Sequence, residues 1–292
     1  LTGVTYGSES QSTALTVLRG WLCFVRKRGP EPLEKGVRSS LCFEPCRPFA
    51  CYFLCHKLSI RMIKNLFIDL DDTLWDTYHN NKESLRELYL EEGWQQFAPD
   101  YDAFWEEYWA CNEGLWELYR HDKIDKYTLT LRRMREPMPW LAPLSDEEIL
   151  VLNRRFLAAT ATKTRLVEGA LEVMEYLHRY YRVYILSNGF REVQHAKVAR
   201  SGLLPYIHHM ILSEDAGVNK PNAAIFRYAC SATNSRCAES LMIGDSWPAD
   251  IVGAKNVGMA SIWFNPHGLE CPRDEYTPRY IIRHLRELLQ LL

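Results

Sequence analysis

The sequence predicts an α/β fold: a Rossmann-like doubly wound parallel sheet with an inserted α-helical cap. Three observations lead there. Short apolar runs at Asn65–Ile68, Val183–Leu186 and Leu241–Ile243 each end in polar residues, the pattern of buried parallel strands that carry a site at their carboxyl ends. Between Asp71 and Ser187 lie 115 residues, far more than one crossover helix needs, whereas only 32 separate Ser187 from Lys220. Inside the long gap, apolar residues recur at three- and four-residue steps, the helical period.

Taken in chain order, residues 1–61 stand apart. The 292 residues carry a net charge of −2, but the first 61 hold nine Lys/Arg against four Glu (+5) and the remainder 26 against 33 (−7). Five of the nine cysteines (Cys23, Cys42, Cys46, Cys51 and Cys55) fall in this leading segment. The segment shows no sustained helical or strand period. Its apolar stretch from Ala14 to Val25 is interrupted by Arg19 and closed by Arg26-Lys27-Arg28, so it is too short to span a bilayer and reads in the wrong order for a secretory signal. Cys42, Cys46, Cys51, Cys55 and His56 lack the paired C-x2-C spacing of a zinc site. The segment is expected to be an extension, disordered or non-native, with Met62 directly before the first strand. Residues 62–77 and 166–292 are expected to form the catalytic core and 78–165 the cap.

The first strand runs into Asp69-Leu70-Asp71-Asp72-Thr73, which places clustered carboxylates at a sheet end. Alone, these residues could simply cap the next helix. Three later segments argue otherwise. Val183–Leu186 ends in Ser187-Asn188-Gly189, Lys220-Pro221 precedes a helical pattern through Ala224, Ile225, Tyr228 and Ala229, and Leu241–Ile243 ends in Gly244-Asp245 with Asp250 following. Together, in this order, the four segments resemble the signatures of the haloacid dehalogenase-like hydrolases: D-x-D-x-T, a strand ending in Ser/Thr, a Lys, and G-D-x(3–4)-D.

The resemblance implies a magnesium-dependent phosphomonoester hydrolase. Asp69 would attack phosphorus and form an aspartyl-phosphate. Asp71 would protonate the leaving oxygen and then deprotonate water, for which its pKa should be raised by neighbouring carboxylates. Lys220 would hold Asp69 and the phosphoryl oxygens, and Ser187 completes the catalytic set. Asp72, Thr73, Ser187, Asn188 and Lys220 are the phosphate-binding candidates. The Mg2+ ligands would be Asp69, Asp71 through its carbonyl, and Asp245, with Asp250 binding directly or orienting a metal-bound water. Halide displacement from carbon needs no acid at Asp71, so its presence favours the phosphatase reading. The side chains of Asp72 and Asp76 suit capping and loop bonds.

The cap is expected to contain helices at Lys82–Leu90, at Tyr101–Tyr119, around Leu129, Leu131 and Met134, and around Ile149, Leu152 and Phe156, punctuated by Pro137, Pro139 and Pro143. Its many aromatics, among them Trp94, Trp105, Tyr108, Trp109, Trp116 and Tyr127, read first as the core of a small bundle and second as a stacking surface for a flat substrate. Ser187–Phe190 continuing through Glu192, Gln194 and Lys197, then Ser213-Glu214 and Gly217, then Trp263–Pro266, are similar to the pyrimidine 5′-nucleotidase branch. Leu115-Trp116 to Tyr119 and Arg132-Arg133 also resemble its cap.

That likeness implies nucleoside 5′-monophosphates as substrates. Small phosphorylated metabolites such as phosphoglycolate or a sugar phosphate, a phosphotransferase or mutase, and a non-catalytic binding module remain alternatives. Neither a P-loop nor a G-x-G-x-x-G fingerprint is present. A cytoplasmic monomer or homodimer is expected, binding a small phosphomonoester and neither nucleic-acid polymer nor membrane. His208 and His209 read as strand-edge histidines, Cys111, Cys230 and Cys237 as inert thiols, and Leu285–Leu292 as a packing helix.

Overall fold

The computed structural model describes residues 63–272 and 276–292, together with the backbone of two short strands, β1 (Leu15–Leu18) and β2 (Trp21–Phe24). These two pair antiparallel, with Leu15 opposite Phe24 and Leu18 opposite Trp21. The hairpin falls within the apolar stretch that showed no sustained period; four-residue strands are too short for periodicity to register. The cysteine cluster Cys42–Cys55 with His56, and the status of the leading segment as a whole, lie outside the described residues.

β3 (Asn65–Ile68) begins the larger sheet. It is followed by β4 (Arg182–Ser187), β5 (His209–Leu212), β6 (Ser240–Gly244), β7 (Ala260–Phe264) and β8 (Tyr280–Ile282), in spatial order β5-β4-β3-β6-β7-β8. All five pairings are parallel; Ile68 lies opposite Ile185 on one side and Ile243 on the other. The strand order reverses direction between β3 and β6, where doubly wound sheets open a crevice at their carboxyl ends.

Strand alternation explains the continuous apolar runs. Leu66, Ile68, Ile185 and Ile243 pack on one face against Val173, Met174 and Leu177 of α5 (Ala170–Tyr180). Phe67, Tyr184, Leu186 and Met242 pack on the other against Ile225, Phe226 and Ala229 of α7 (Ala223–Ala232). A sheet covered on both sides needs apolar residues at every position. The C-terminal residues form a 3-10 turn (Leu285–Glu287) and a short helix (Leu288–Leu291), which bring Leu285 and Leu288 into the first of these clusters. His208 and His209 sit exposed at the amino end of β5, away from the carboxyl ends of the strands.

Four helices separate β3 from α5: α1 (Thr77–Glu91), α2 (Tyr101–Arg120), α3 (Lys126–Arg135) and α4 (Asp146–Thr160). Each starts at a residue whose side chain accepts a backbone N–H of the first turn, namely Asp76, Asp100, Asp125 and Ser145. The Asp76 cap starts α1 five residues before the expected Lys82. Leu85, Tyr89, Phe104, Trp105, Tyr108, Ile149 and Phe156 make a separate apolar core for these helices. Most cap aromatics therefore serve packing, and Tyr127 is exposed.

Candidate active site

The three strand ends deliver the signature residues to one place. Asp69 follows β3, Ser187 ends β4, Asp245 follows β6, and Lys220 arrives on the segment before α7. Lys220 is buried, and its Nζ lies 2.8 Å from Asp69 Oδ1, 2.7 Å from Asp250 Oδ1 and 2.7 Å from the Leu186 carbonyl. Burial alone would lower the Lys220 pKa; Asp250 and Asp69 outweigh it and hold the ammonium above its usual range. All three of its hydrogens have protein partners in this arrangement. Here it is a counter-charge that fixes two carboxylates.

Burial, opposed by Lys220 and reinforced by Asp250 and Asp71, pushes Asp69 up to about 7. Asp245 is also raised well above the carboxylate range, by burial and then by Asp69, Asp72 and Asp250. Oxygens of Asp69, Asp245 and Asp250 all lie within 4.8 Å of one another. Three carboxylates thus face a single ammonium, an excess of negative charge on hard oxygen donors that fits Mg2+. Asp250 is wholly buried, accepting from Lys220 with Oδ1 and from the Ser246 N–H with Oδ2 at 3.1 Å. Gly244 is needed beneath it: a Cβ there would stand 2.2 Å from Asp250 Oδ2.

One expectation requires correction, and three other candidates have partners within the protein. Asp71 does not have a raised pKa. Although burial acts to raise it, the Lys197 ammonium, with hydrogen bonds from Gln194 and Thr77, holds its carboxyl below the usual value. Lys197 Nζ donates to Asp71 Oδ1 at 2.5 Å and Gln194 Nε2 to Oδ2 at 2.6 Å. Thr73, placed among the phosphate-binding residues, is fully buried and donates to Asp245 Oδ1 at 2.8 Å, so it positions that carboxylate. The Asn188 carboxamide clasps the Lys220 backbone, donating to its carbonyl at 3.0 Å and accepting its N–H at 2.8 Å. Finally, the Asp72 N–H is spent on Trp75 O and Thr77 Oγ1, while its side chain accepts the Thr77 and Tyr78 N–H groups at the start of α1. Asp72, at φ 55°, is thus held in the left-handed region by local bonds.

Gln194 and Lys197, both on α6 (Arg191–Arg200), are the residues that sequence reasoning did not place in the site. Gln194 bridges Asp71 and Ser187, donating to Ser187 Oγ at 2.7 Å. Lys197 Nζ also stands 4.0 Å over the Trp75 ring. Their three-residue spacing on one helix face and their place in the branch resemblance are the signals the sequence offers. Gly189 permits this approach, since a Cβ there would lie 1.9 Å from Gln194 Nε2. Gly189→Ala is expected to displace Gln194 from both partners and lower kcat by about 10–100-fold, as misplacement of a catalytic group by an ångström does; steady-state assays with p-nitrophenyl phosphate check it.

Above the acids lies a cavity of about 230 Å³, shared between the strand ends and the helices of the inserted segment. Trp109, Asn112, Trp116, Arg133 and Phe156 line it from above, and Asp69, Asp71, Ser187, Gln194 and Lys220 from below. Lys126 of α3 joins the two sides, 2.8 Å from both Glu192 and Glu214 and 4.4 Å over the Phe190 ring. Away from the cavity, burial and then Cys237 push the Cys230 thiol up to about 12, so it stays protonated. No helix among the described residues is long and apolar enough to cross a membrane.

A family model for haloacid dehalogenase-like hydrolases matches residues 63–258. The pyrimidine 5′-nucleotidase YjjG of Escherichia coli is 32% identical over 228 residues, covering 78% of this chain and 96% of its own. PynA of Streptococcus pneumoniae, a pyrimidine 5′-nucleotidase, is 32% identical over 231 residues, covering 78% and 94%. A glyceraldehyde 3-phosphate phosphatase of Pyrococcus furiosus is 34% identical over 243 residues, covering 80% and 94%. Among solved structures, the magnesium-bound hydrolase YfnB of Bacillus subtilis superimposes with a TM-score of 0.70 at 27% identity, covering 78% of this chain and 98% of that one. With its signature residues gathered at the crevice of a doubly wound sheet, the chain belongs to the haloacid dehalogenase-like hydrolases and is a phosphatase of that family.

Proposed function

We propose that the enzyme hydrolyses nucleoside 5′-monophosphates, with pyrimidine nucleotides preferred, through an aspartyl-phosphate on Asp69. The observation that carries this reading is a single cavity in which Asp69, Asp71 and Ser187 lie below a wall containing Trp109, Trp116 and Phe156. Such a space can take a phosphate at one end and a flat ring at the other.

The chain's own groups divide the work. An Asp69 oxygen forms a bond to phosphorus as the ester P–O bond breaks, and Asp71 passes a proton to the departing oxygen. Water then attacks phosphorus, Asp71 takes its proton, and Asp69 is released with inorganic phosphate. Ser187 Oγ already accepts from Gly189 N–H (3.0 Å) and Gln194 Nε2, which leaves its hydrogen free to donate to a phosphoryl oxygen. Lys197 favours ionised Asp71, the form that the water step needs. The arriving phosphoryl charge opposes Lys197 and favours protonated Asp71 for the first step. Asp69, Asp245, Asp250 and the Asp71 carbonyl are the groups that would hold Mg2+, which when bound offsets the negative charge of the phosphate and the acids. EDTA is expected to abolish p-nitrophenyl phosphate hydrolysis and added Mg2+ to restore it; activity that persists in EDTA would remove the metal from this account.

The nucleotide preference rests on the cavity wall and on the likeness to two pyrimidine 5′-nucleotidases. The likeness to a glyceraldehyde 3-phosphate phosphatase favours a second reading, a sugar-phosphate phosphatase with the same mechanism. Ranking UMP, dTMP, ribose 5-phosphate, glyceraldehyde 3-phosphate and phosphoglycolate by kcat/KM decides between them. UMP and dTMP are expected to lead; a lead for the sugar phosphates overturns the nucleotidase reading.

A further inference from the structure

Two polar side chains in the roof of the cavity have more hydrogen-bonding capacity than their protein neighbours use. Asn112 on α2 is 4% exposed, lines the cavity and makes no hydrogen bond among the described residues. Its amide is left with only the cavity to supply partners. Arg133 on α3 is 3% exposed and lines the same cavity. No acid among the described residues pairs with it. Its Nε and Nη2 both converge on a neutral acceptor, Asn153 Oδ1, and its Cζ lies 5.4 Å from the Phe156 ring centroid. Its Nη1 has no partner among the described residues. A guanidinium withdrawn from water with one uncharged acceptor is a liability to the fold unless something else accepts from it.

We infer that Asn112 and Arg133 form a base-reading subsite, which selects a carbonyl-bearing pyrimidine ring at the end of the substrate remote from phosphate. This deepens the nucleotidase reading and rests on it. The chemistry of the two groups sets the ligand class. Arginine can only donate, so its partner is an acceptor such as a ring carbonyl oxygen. Asparagine both donates and accepts, so it can close two bonds with an edge that places N–H beside C=O. Uracil and thymine present that edge between two carbonyls. Adenine carries no carbonyl, and a bare sugar phosphate has no base to reach the roof. A site that must hydrogen-bond its substrate discriminates strongly against analogues that leave its polar groups unpaired.

Asn112→Ala is the primary test, since a side chain without partners contributes no bonds to the fold. Arg133→Met, which keeps much of the stem, is the second, with thermal melting run on both. Turnover of UMP, AMP and ribose 5-phosphate is measured for each and for the wild type. The wild type is expected to prefer UMP over AMP and over ribose 5-phosphate. Each variant should lose about 10–100-fold in kcat/KM for UMP, mostly through KM, while ribose 5-phosphate changes less than about threefold. Equal losses on UMP and ribose 5-phosphate, or an unchanged UMP rate in Asn112→Ala, overturn the subsite and leave the nucleotidase standing. A wild type that prefers ribose 5-phosphate overturns the nucleotidase reading and the subsite with it.

Discussion

Asp69→Asn is expected to cut p-nitrophenyl phosphate turnover by at least about 10⁴-fold, the scale seen when a nucleophile is removed from a covalent mechanism. The substitution keeps the shape of the side chain and removes the atom that would bond phosphorus. The fold should tolerate it. Burial pushes the Asp69 carboxyl up to about 7, so its charge is unwelcome in the apo site, and a neutral amide relieves its repulsion with Asp250 and Asp71. The two readouts therefore separate, with activity lost and melting temperature held. A variant within tenfold of wild-type turnover would sink the proposed mechanism.

Lys220→Met has the opposite signature, since it should damage both readouts. Lys220 is the counter-charge for Asp69 and for the wholly buried Asp250. Its removal strands two carboxylates and a carbonyl that have no other cation near them among the described residues. Breaking a buried ion pair from one side costs about 3–5 kcal/mol. For a folded unit of this size that corresponds to a fall in melting temperature of roughly 10 °C. The measurement is made in EDTA, so that a bound cation does not stand in for the ammonium. The double variant Lys220→Met with Asp250→Asn should recover part of the loss, because one stranded charge is gone. A single variant melting within about 2 °C of wild type would show that the carboxylates do not depend on Lys220.

The sheet and the acids could be read from sequence because each is written locally. A run such as Leu66-Phe67-Ile68 is apolar at every position only when both faces are covered, and the acid that follows it marks the strand end. The departures arise where partners are distant. Asp71 has acids for sequence neighbours, which suggests a raised pKa, but the deciding cation comes from 126 residues further along the chain. Gln194 and Lys197 stand in a helix reading REVQHAKVAR, where nothing local distinguishes them from the solvent-facing Arg191 or Glu192. Only docking of that helix against Trp75 and Asp71 makes them interior groups. The resemblance makes Thr73 a phosphate-binding candidate. The pairing of β3 with β6 brings Asp245 beside it instead. Asn112 was hidden for a related reason: among the aromatics of α2 a single amide looks like surface.

The two chain segments that join the inserted helices to the sheet run side by side. The Asp76 N–H donates to the Arg165 carbonyl at 3.1 Å, the Val167 N–H to the Leu74 carbonyl at 3.0 Å, and the Asn80 Nδ2 to the Arg165 carbonyl at 2.8 Å. Trp75 pairs with Leu166 in an isolated antiparallel bridge. A two-rail tether of this kind resists twisting and sliding and leaves bending as its soft motion. It also means that the insertion leaves and returns at nearly one point, so the sheet closes around the junction as though the intervening residues were an ordinary turn. The helical segment can thus vary in size and lining without disturbing the strand ends. The strand-end acids and the roof of the cavity are carried by parts of the chain that meet at a single junction.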